Sequence, residues 1–218
     1  MTFQSVDENY CKFRHPFTGV VSGSTMCGKT TYIANLIKHK SNVITPNVKR
    51  IIYCYNKWQN IYDTMPEVQF VKGWNFALDH SIPTLLIIDD QMNGIDARLA
   101  ELFTVDCHHL NTSIIFVTQN LFHQDKSYRT ACLNAQYMIL FRSPRSCNQM
   151  TYLARQLCTG NKVKRMVEAF QDATEKPYSH FIIDLKPDTP QCLRFRANVM
   201  PDEGLPFKSV HFAHVYDI

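Results

Sequence analysis

Short aliphatic and β-branched runs alternate along this chain with stretches of helical periodicity. The runs predict five strands, at residues 18–21, 50–55, 84–89, 113–118 and 137–141. The middle runs are continuously apolar, which is typical of parallel strands that are buried on both faces. Helices are predicted at residues 29–40 and 98–110. This alternation predicts an α/β fold with a mainly parallel central sheet flanked by helices.

Two further helices and two further strands are predicted beyond the fifth strand. Ser146 and Gln149 form a capping-box pattern that predicts the start of one helix, and Gly160 predicts its end. Asn161 is the predicted cap of the next helix. The strands are predicted at residues 180–184 and 194–199.

The length of 218 residues, 45% of them hydrophobic, predicts one substantial core and therefore a single domain. Its core is expected over residues 17–200, with an N-terminal extension over 1–16 and a surface tail over 201–218. The eight cysteines include no Cys-x-x-Cys pair, which favours a reducing intracellular compartment. No run approaches the roughly 18 apolar residues of a membrane span, so no membrane anchor is expected.

Positive charge is concentrated in one part of the chain. The formal net charge is only +4, yet residues 121–200 carry 12 basic and 6 acidic side chains. Such an excess suits a polyanionic partner, whereas a solvated basic face is the plain alternative.

The segment GSTMCGKT, residues 23–30, carries the strongest chemical signal. It matches the phosphate-loop pattern G-x-x-x-x-G-K-[ST] and lies between a predicted strand and a predicted helix. Lys29 is predicted to reach the β- and γ-phosphates of ATP, and Thr30 is predicted to bind Mg²⁺. The predicted contacts to the phosphates come from Gly23, Ser24, Thr25, Met26, Cys27, Gly28, Lys29, Thr30 and Thr31.

Two acids lie at the carboxyl end of the third predicted strand, in the run LLIIDD. Together with a phosphate loop, an apolar strand that ends in aspartate predicts a Walker B motif. Asp89 is then expected to hold Mg²⁺ through water, and Asp90 to polarise the attacking water. A helix cap or turn residue is the alternative role of Asp90.

The fourth predicted strand ends abruptly in polar residues, Thr118, Gln119 and Asn120. Ligands of parallel α/β sheets bind at the carboxyl ends of the strands. Gln119 is therefore predicted to sense the γ-phosphate, and an ordinary polar loop start is the alternative.

Several segments together resemble the viral DNA-packaging ATPases of the HerA/FtsK superfamily, closest to those of Polinton (Maverick) elements and virophages and related to the poxvirus packaging ATPases. The resemblance covers residues 17–157, and residues 119–157 are its specific part. The matching segments are TMCGKTTYIANLI, LLIIDDQM, HHLNTSIIFVTQNLF and RTACLNAQYMILFRSPRSCNQMTYLARQL.

This resemblance implies a RecA/FtsK-like P-loop fold that uses ATP and Mg²⁺ to move double-stranded DNA into a preformed capsid. It also implies a homo-oligomeric ring, a pentamer or hexamer, at a capsid portal or vertex, and hence a location at the site of virion assembly inside the host cell. In such rings an arginine from one subunit completes the neighbour's site. Arg129 is the preferred candidate, with Arg142 and Arg145 as alternatives.

The match departs from the family at Asp90, where many members have glutamate. Aspartate is one methylene shorter, which puts its role as the sole base in doubt. DNA contacts of a translocating motor go mostly to phosphates. The candidates for these contacts are Lys126, Lys162, Lys164 and Arg165.

A nucleoside or nucleotide kinase and a DNA helicase are the alternative functions. The sequence RSPR, residues 142–145, is similar to a kinase lid with two arginines. The segment YNKWQN, residues 55–60, offers no acidic-arginine motif for a phosphate acceptor. A helicase would be expected to carry further domains or motifs.

Two cysteine-containing features are weaker. Cys27 lies beside the predicted phosphate loop, where a helix N-terminus is expected to acidify its thiol. Cys107, His108 and His109 are adjacent on a predicted helix end, and adjacent helical positions diverge by about 100°. They are therefore not expected to converge on one metal ion.

Overall fold

The structure is a computed structural model that describes residues 11–79, 81–89, 97–107, 110–122, 125–143, 147–200 and 214–215. The strands are β1 (Phe13–Arg14), β2 (Thr18–Ser22), β3 (Ile44–Thr45), β4 (Arg50–Tyr55), β5 (Gln69–Lys72), β6 (Thr84–Asp89), β7 (Thr112–Thr118), β8 (Tyr137–Phe141), β9 (His180–Asp184), β10 (Phe195–Ala197) and β11 (His214–Val215). The α-helices are α1 (Lys29–Lys38), α2 (Lys40–Val43), α3 (Ala97–Glu101), α4 (Lys126–Leu133), α5 (Cys147–Leu157) and α6 (Asn161–Ala173). Two 3₁₀ helices, Asn60–Thr64 and Gln191–Leu193, and a π-helical turn, Leu102–Asp106, complete these elements.

In the described part of the chain, nine strands form the central sheet, in the order β11-β10-β9-β8-β2-β7-β6-β4-β5. The six strands from β8 to β5 are parallel, and β9, β10 and β11 add an antiparallel extension. Every residue of β2, β6, β7 and β8 is buried, which is typical of parallel strands covered on both faces. The predicted α/β fold with a mainly parallel sheet is confirmed.

Helices cover both faces of this sheet. Helix α1 and the 3₁₀ helix Asn60–Thr64 pack on one face, and α3 to α6 pack on the other. Alternation along β6 sends Leu85 and Ile87 to the α1 face and Leu86 and Ile88 to the opposite face. Asp89 continues this alternation, so its carboxylate lies on the face that α1 covers.

The predicted helix over residues 98–110 does not form as one α-helix. The α-helical part is short, and a π-helical turn at Leu102–Asp106 follows it. The Thr104 hydroxyl donates a hydrogen bond to the backbone oxygen of Ala100 at 2.8 Å within this stretch. Threonine side chains that bond to the preceding turn compete with regular helical bonding.

The predicted boundaries around residue 160 were also wrong. Helix α5 ends at Leu157, before Gly160, and Gly160 itself is the N-cap of α6. Asn161 is the first helical residue and not the cap. The cap position has φ 59°, a backbone conformation that favours glycine. Ser146 of the predicted capping box lies outside the described residues, and the Gln149 amide donates to the Asn120 side-chain oxygen at 2.9 Å.

Four of the described strands, β1, β3, β5 and β11, were not predicted. Strand β5 is half-exposed at the sheet edge, and its four residues pair with β4. Strand β1 lies in the predicted N-terminal extension and pairs with β3, while β11 lies in the predicted tail and pairs with β10. Within the described residues, no helix combines the length and apolarity needed to cross a membrane.

Candidate nucleotide-binding site

The segment of residues 23–28 forms a tight loop between β2 and α1. The backbone N–H of Gly23 donates to the Thr118 oxygen at 3.2 Å, which joins the start of the loop to β7. Within the loop, the Cys27 N–H donates to the Ser24 oxygen at 3.3 Å. Met26 and Gly28 both have left-handed backbone conformations, with φ of 65° and 103°. The loop therefore has the curled backbone expected of a phosphate loop.

Close packing restricts the loop at Gly23. A Cβ atom on Gly23 would lie 2.6 Å from Cys27 Sγ and 2.7 Å from Phe141 Cβ. Contacts this short do not occur in folded proteins, so only glycine fits here without a shift of the loop or of β8. The first glycine of the motif is thus required by the neighbouring strand as well as by the loop itself.

The Lys29 side chain extends back to the start of this loop. Its Nζ donates hydrogen bonds to the backbone oxygens of Gly23 at 2.6 Å and Ser24 at 2.9 Å. The residue begins α1, so its positive charge and the helix N-terminus favour anions at the same place.

Gln119 lies beside the loop, directly after β7. Its side-chain oxygen accepts a hydrogen bond from the Thr25 hydroxyl at 3.1 Å. Strand β7 is paired with β2 on one side and with β6 on the other. The topology therefore places Gln119 between the phosphate loop and the end of the strand that carries Asp89.

Asp89 is buried at the carboxyl end of β6, with 9% of its surface exposed. Asp89 is paired in register with Val117 of β7, and β7 is paired with β2, the strand that precedes the loop. Asp89 is therefore two strand spacings, or about 10 Å, from β2. Tyr62 donates its hydroxyl hydrogen to Asp89 Oδ2 at 3.4 Å. Burial and, to a smaller extent, the negative charge of Asp89 raise the pKa of Tyr62 to about 12. The phenol therefore stays protonated as a donor at neutral pH.

No sequence pattern points to Tyr62 as a site residue. It lies in the 3₁₀ helix Asn60–Thr64, which has no recognisable motif. Its ring packs against Phe70 of β5 and Tyr53 of β4, with centroids 4.9 Å and 5.0 Å away. Only the packing of this helix on the sheet brings the hydroxyl to Asp89.

Thr30 and Asp89 have the donor chemistry that Mg²⁺ requires. Both offer oxygen, and both lie on the α1 side of the sheet. Mg²⁺ usually binds one or two protein oxygen ligands together with substrate phosphates and water. In the part of the chain that the structure describes, no group of three or more His, Cys, Asp or Glu side chains forms a dedicated metal cage. The residues therefore fit a metal ion that arrives with a nucleotide.

The thiol of Cys27 is not acidified, contrary to the sequence prediction. Burial raises the pKa of Cys27, and the nearby positive charge of Lys29 lowers it by a smaller amount. The side chain is packed close to Gly23 and against the core, so desolvation outweighs the charge of Lys29 and the backbone hydrogen bonds.

The other predicted residues lie elsewhere or outside the described residues. Asp90, Arg145, His108 and His109 are outside them. Arg129 and Lys126 are exposed on α4, and Arg142 is exposed just after β8. Lys162, Lys164 and Arg165 are exposed on α6, where Lys164 forms an ion pair with Glu168 at 3.6 Å.

A phosphate loop between the central strand and the first helix of a mainly parallel sheet defines the class of P-loop nucleotide triphosphatases. The chain has this fold, with the loop of residues 23–28 between β2 and α1. Members of the class bind nucleotide triphosphates, typically with Mg²⁺.

Comparisons with solved structures find distant similarity to other proteins, of which two are given. The N-terminal domain of zonular occludens toxin from Neisseria meningitidis is 14% identical over 60% of this chain and 79% of its own, with a TM-score of 0.36. A KaiC-like protein from the hyperthermophilic archaeon Pyrococcus horikoshii is 11% identical over 85% of this chain and 86% of its own, with a TM-score of 0.41. These similarities are too low to support a function. No protein-family model and no curated protein sequence matches the chain.

Proposed function

We propose that this chain is an ATP-hydrolysing DNA translocase that packages a double-stranded DNA genome into a viral capsid. The observation that supports ATP hydrolysis is the arrangement of three strand ends, in which β7 brings Gln119 between the phosphate loop and Asp89. The DNA-packaging part rests on the sequence resemblance of residues 17–157 and on the basic excess of residues 121–200.

Each residue has a defined part in the proposed reaction, in which water attacks the γ-phosphorus and ADP leaves. The loop N–H groups and Lys29 hold the phosphates, and Gln119 contacts the γ-phosphate or the attacking water. Thr30 and Asp89 would hold Mg²⁺, which neutralises charge on the β- and γ-phosphates when bound. Tyr62 orients the Asp89 carboxylate by donating its hydroxyl hydrogen to Oδ2. Asp90 stays the proposed base, outside the described residues.

The proposed working unit is a ring of five or six copies at a capsid portal or vertex, acting where virions assemble in the host cell. ATP would bind between neighbouring subunits, and Arg129 would reach the neighbour's γ-phosphate. Its exposure on α4 supports this role, because an arginine that acts on another subunit must be on the surface. Arg142 is the alternative among the described residues.

One assay tests the proposed activity against the kinase alternative. ATP hydrolysis is measured with and without long double-stranded DNA, at low and at high salt. Stimulation by DNA that disappears at high salt is expected, because phosphate contacts weaken steeply with salt. Transfer of phosphate to an added nucleoside, without DNA stimulation, would instead establish a kinase.

The central variant is Lys29→Ala, which is expected to lower hydrolysis by about 100-fold or more, since it removes a charge that stabilises the transferring phosphoryl group. Lys38→Ala is the matched control, because it removes the same charge from the exposed last turn of α1. Full activity in Lys29→Ala would refute the assignment of this loop as the ATP site.

A further inference from the structure

A cavity of about 350 Å³ opens beside the phosphate loop. One wall is the loop itself, from Ser24 to Cys27. The end of β8, at Phe141 and Arg142, and the segment of residues 174–179 form the rest. Strand β8 pairs with β2 on the side opposite to β7. The cavity therefore lies across the loop from Gln119 and Asp89.

The direction of a bound triphosphate follows from this arrangement. Its γ-phosphate must lie near Gln119 and Asp89, so the chain of phosphates leaves the loop toward β8. The nucleoside of the bound nucleotide then lies in the cavity on the β8 side. A volume of 350 Å³ is within the range of about 300–1,000 Å³ that small-molecule sites occupy.

Two large apolar side chains on the cavity wall are highly exposed. Met26 is 90% exposed and Tyr178 is 72% exposed. A ligand that fills the cavity would cover part of both side chains, which would gain apolar contact.

Tyr178 is held against the phosphate loop rather than projecting freely. A Cβ atom built on Gly28 would lie 3.2 Å from Tyr178 Cδ1 and 3.4 Å from its Cβ. The Tyr178 backbone has φ 68°, an uncommon conformation for a bulky side chain that adds local strain. The aromatic ring thus lies against Gly28, beside the turn from which the ribose and base would emerge.

We propose that the segment of residues 174–179 forms the nucleobase-binding wall of this site and that the Tyr178 ring stacks on the base. The inference rests on the proposed use of ATP and extends it to the part of the nucleotide that the motifs do not reach. Aromatic side chains stack on the π-face of any base, so Tyr178 contributes affinity for the nucleoside and none for the phosphates.

The test separates base binding from phosphate binding. Dissociation constants for ATP and for inorganic tripolyphosphate, each with Mg²⁺, are measured by calorimetry on the full chain. Tyr178→Ala is expected to weaken ATP binding about tenfold and to leave tripolyphosphate binding unchanged. Tyr178→Phe keeps the aromatic face and is expected to bind ATP like the wild type. Tyr152→Ala, which removes another exposed tyrosine from α5, is the matched control and is expected to change neither constant.

Two results would overturn the stacking role. Equal weakening of ATP and tripolyphosphate by Tyr178→Ala would mean that the side chain only shapes the phosphate loop. No change in either constant would mean that the base lies elsewhere. Failure of the proposed function has a different signature, in which the wild type binds neither ligand or Lys29→Ala leaves both constants unchanged.

Discussion

Two regions contain most of the residues that the sequence predicts to be functional. One is the edge of the sheet at the phosphate loop, and the other is the exposed surface of α6. At the sheet edge, Lys29, Gln119 and Asp89 come from three different elements and are held by bonds to the loop, to Thr25 and to Tyr62. On α6 the basic residues project from one helix, and the ion pair of Lys164 is with Glu168 on that same helix.

This difference separates a chemical site from an electrostatic surface. The sheet edge depends on placement, because each group acts only at a particular distance from a phosphate. The α6 surface depends on the sum of charges, because long-range attraction to a polyanion tolerates small shifts of each side chain. A single substitution at the sheet edge should therefore lower ATP binding or hydrolysis strongly, whereas each substitution on α6 should lower DNA binding by a small amount.

The largest effect is expected from a single methyl group at Gly23. Gly23→Ala places a Cβ within 2.7 Å of both Cys27 Sγ and Phe141 Cβ, so the loop must move. We expect ATP affinity to fall by about 100-fold or more, as measured by calorimetry, because the loop N–H groups lose their alignment. Gly19→Ala is the control on the same strand, since its Cβ would meet atoms only at 3.6 Å and beyond. Equal affinities of the two variants would contradict the placement argument.

An intermediate effect is expected at Gln119. Gln119→Ala should lower kcat by about 10- to 100-fold with KM changed less than about threefold, since the amide is proposed to act mainly in the transition state. Steady-state hydrolysis measures both constants. Thr25→Val removes the hydroxyl that donates to Gln119 and should have a smaller effect in the same direction. A rise in KM at unchanged kcat would assign Gln119 to ground-state binding instead.

The smallest effect on hydrolysis without DNA is expected from the α6 surface. The triple variant Lys162→Gln, Lys164→Gln and Arg165→Gln should reduce stimulation by DNA and make the salt dependence of DNA binding shallower, by up to about 0.9 in the logarithmic slope per lost contact. The control changes three exposed lysines of the other half of the chain, Lys38, Lys49 and Lys57, to glutamine. If both triple variants bind DNA with the same slope, α6 is not the DNA-binding surface.

Much of the sheet was predictable, because its strands have distinctive local patterns. The bounds of β4, β6, β8 and β9 agree with the prediction to the residue. Each consists mainly of apolar residues, and such a run predicts a buried strand. The edge strand β5 was missed because its residues are half-exposed and resemble a loop.

Errors at helix ends have a different cause. Gly160 was interpreted as a helix stop, yet it is the cap of α6, because both roles use the same left-handed freedom of glycine. The acidity expected for Cys27 failed for a related reason. A helix N-terminus is visible in the sequence, but the burial that raises the pKa of the thiol comes from packing against the core.

The sequence by itself determined the phosphate loop, the strand that carries Asp89 and the polar end of β7, since these are local patterns of residue type and spacing. Only the tertiary structure decided that β7 lies between β2 and β6, that Tyr62 reaches Asp89 and that Tyr178 packs on Gly28. The physical reason is that strand order and the contacts of unpatterned segments depend on how the whole core is packed. No short stretch of sequence contains that information.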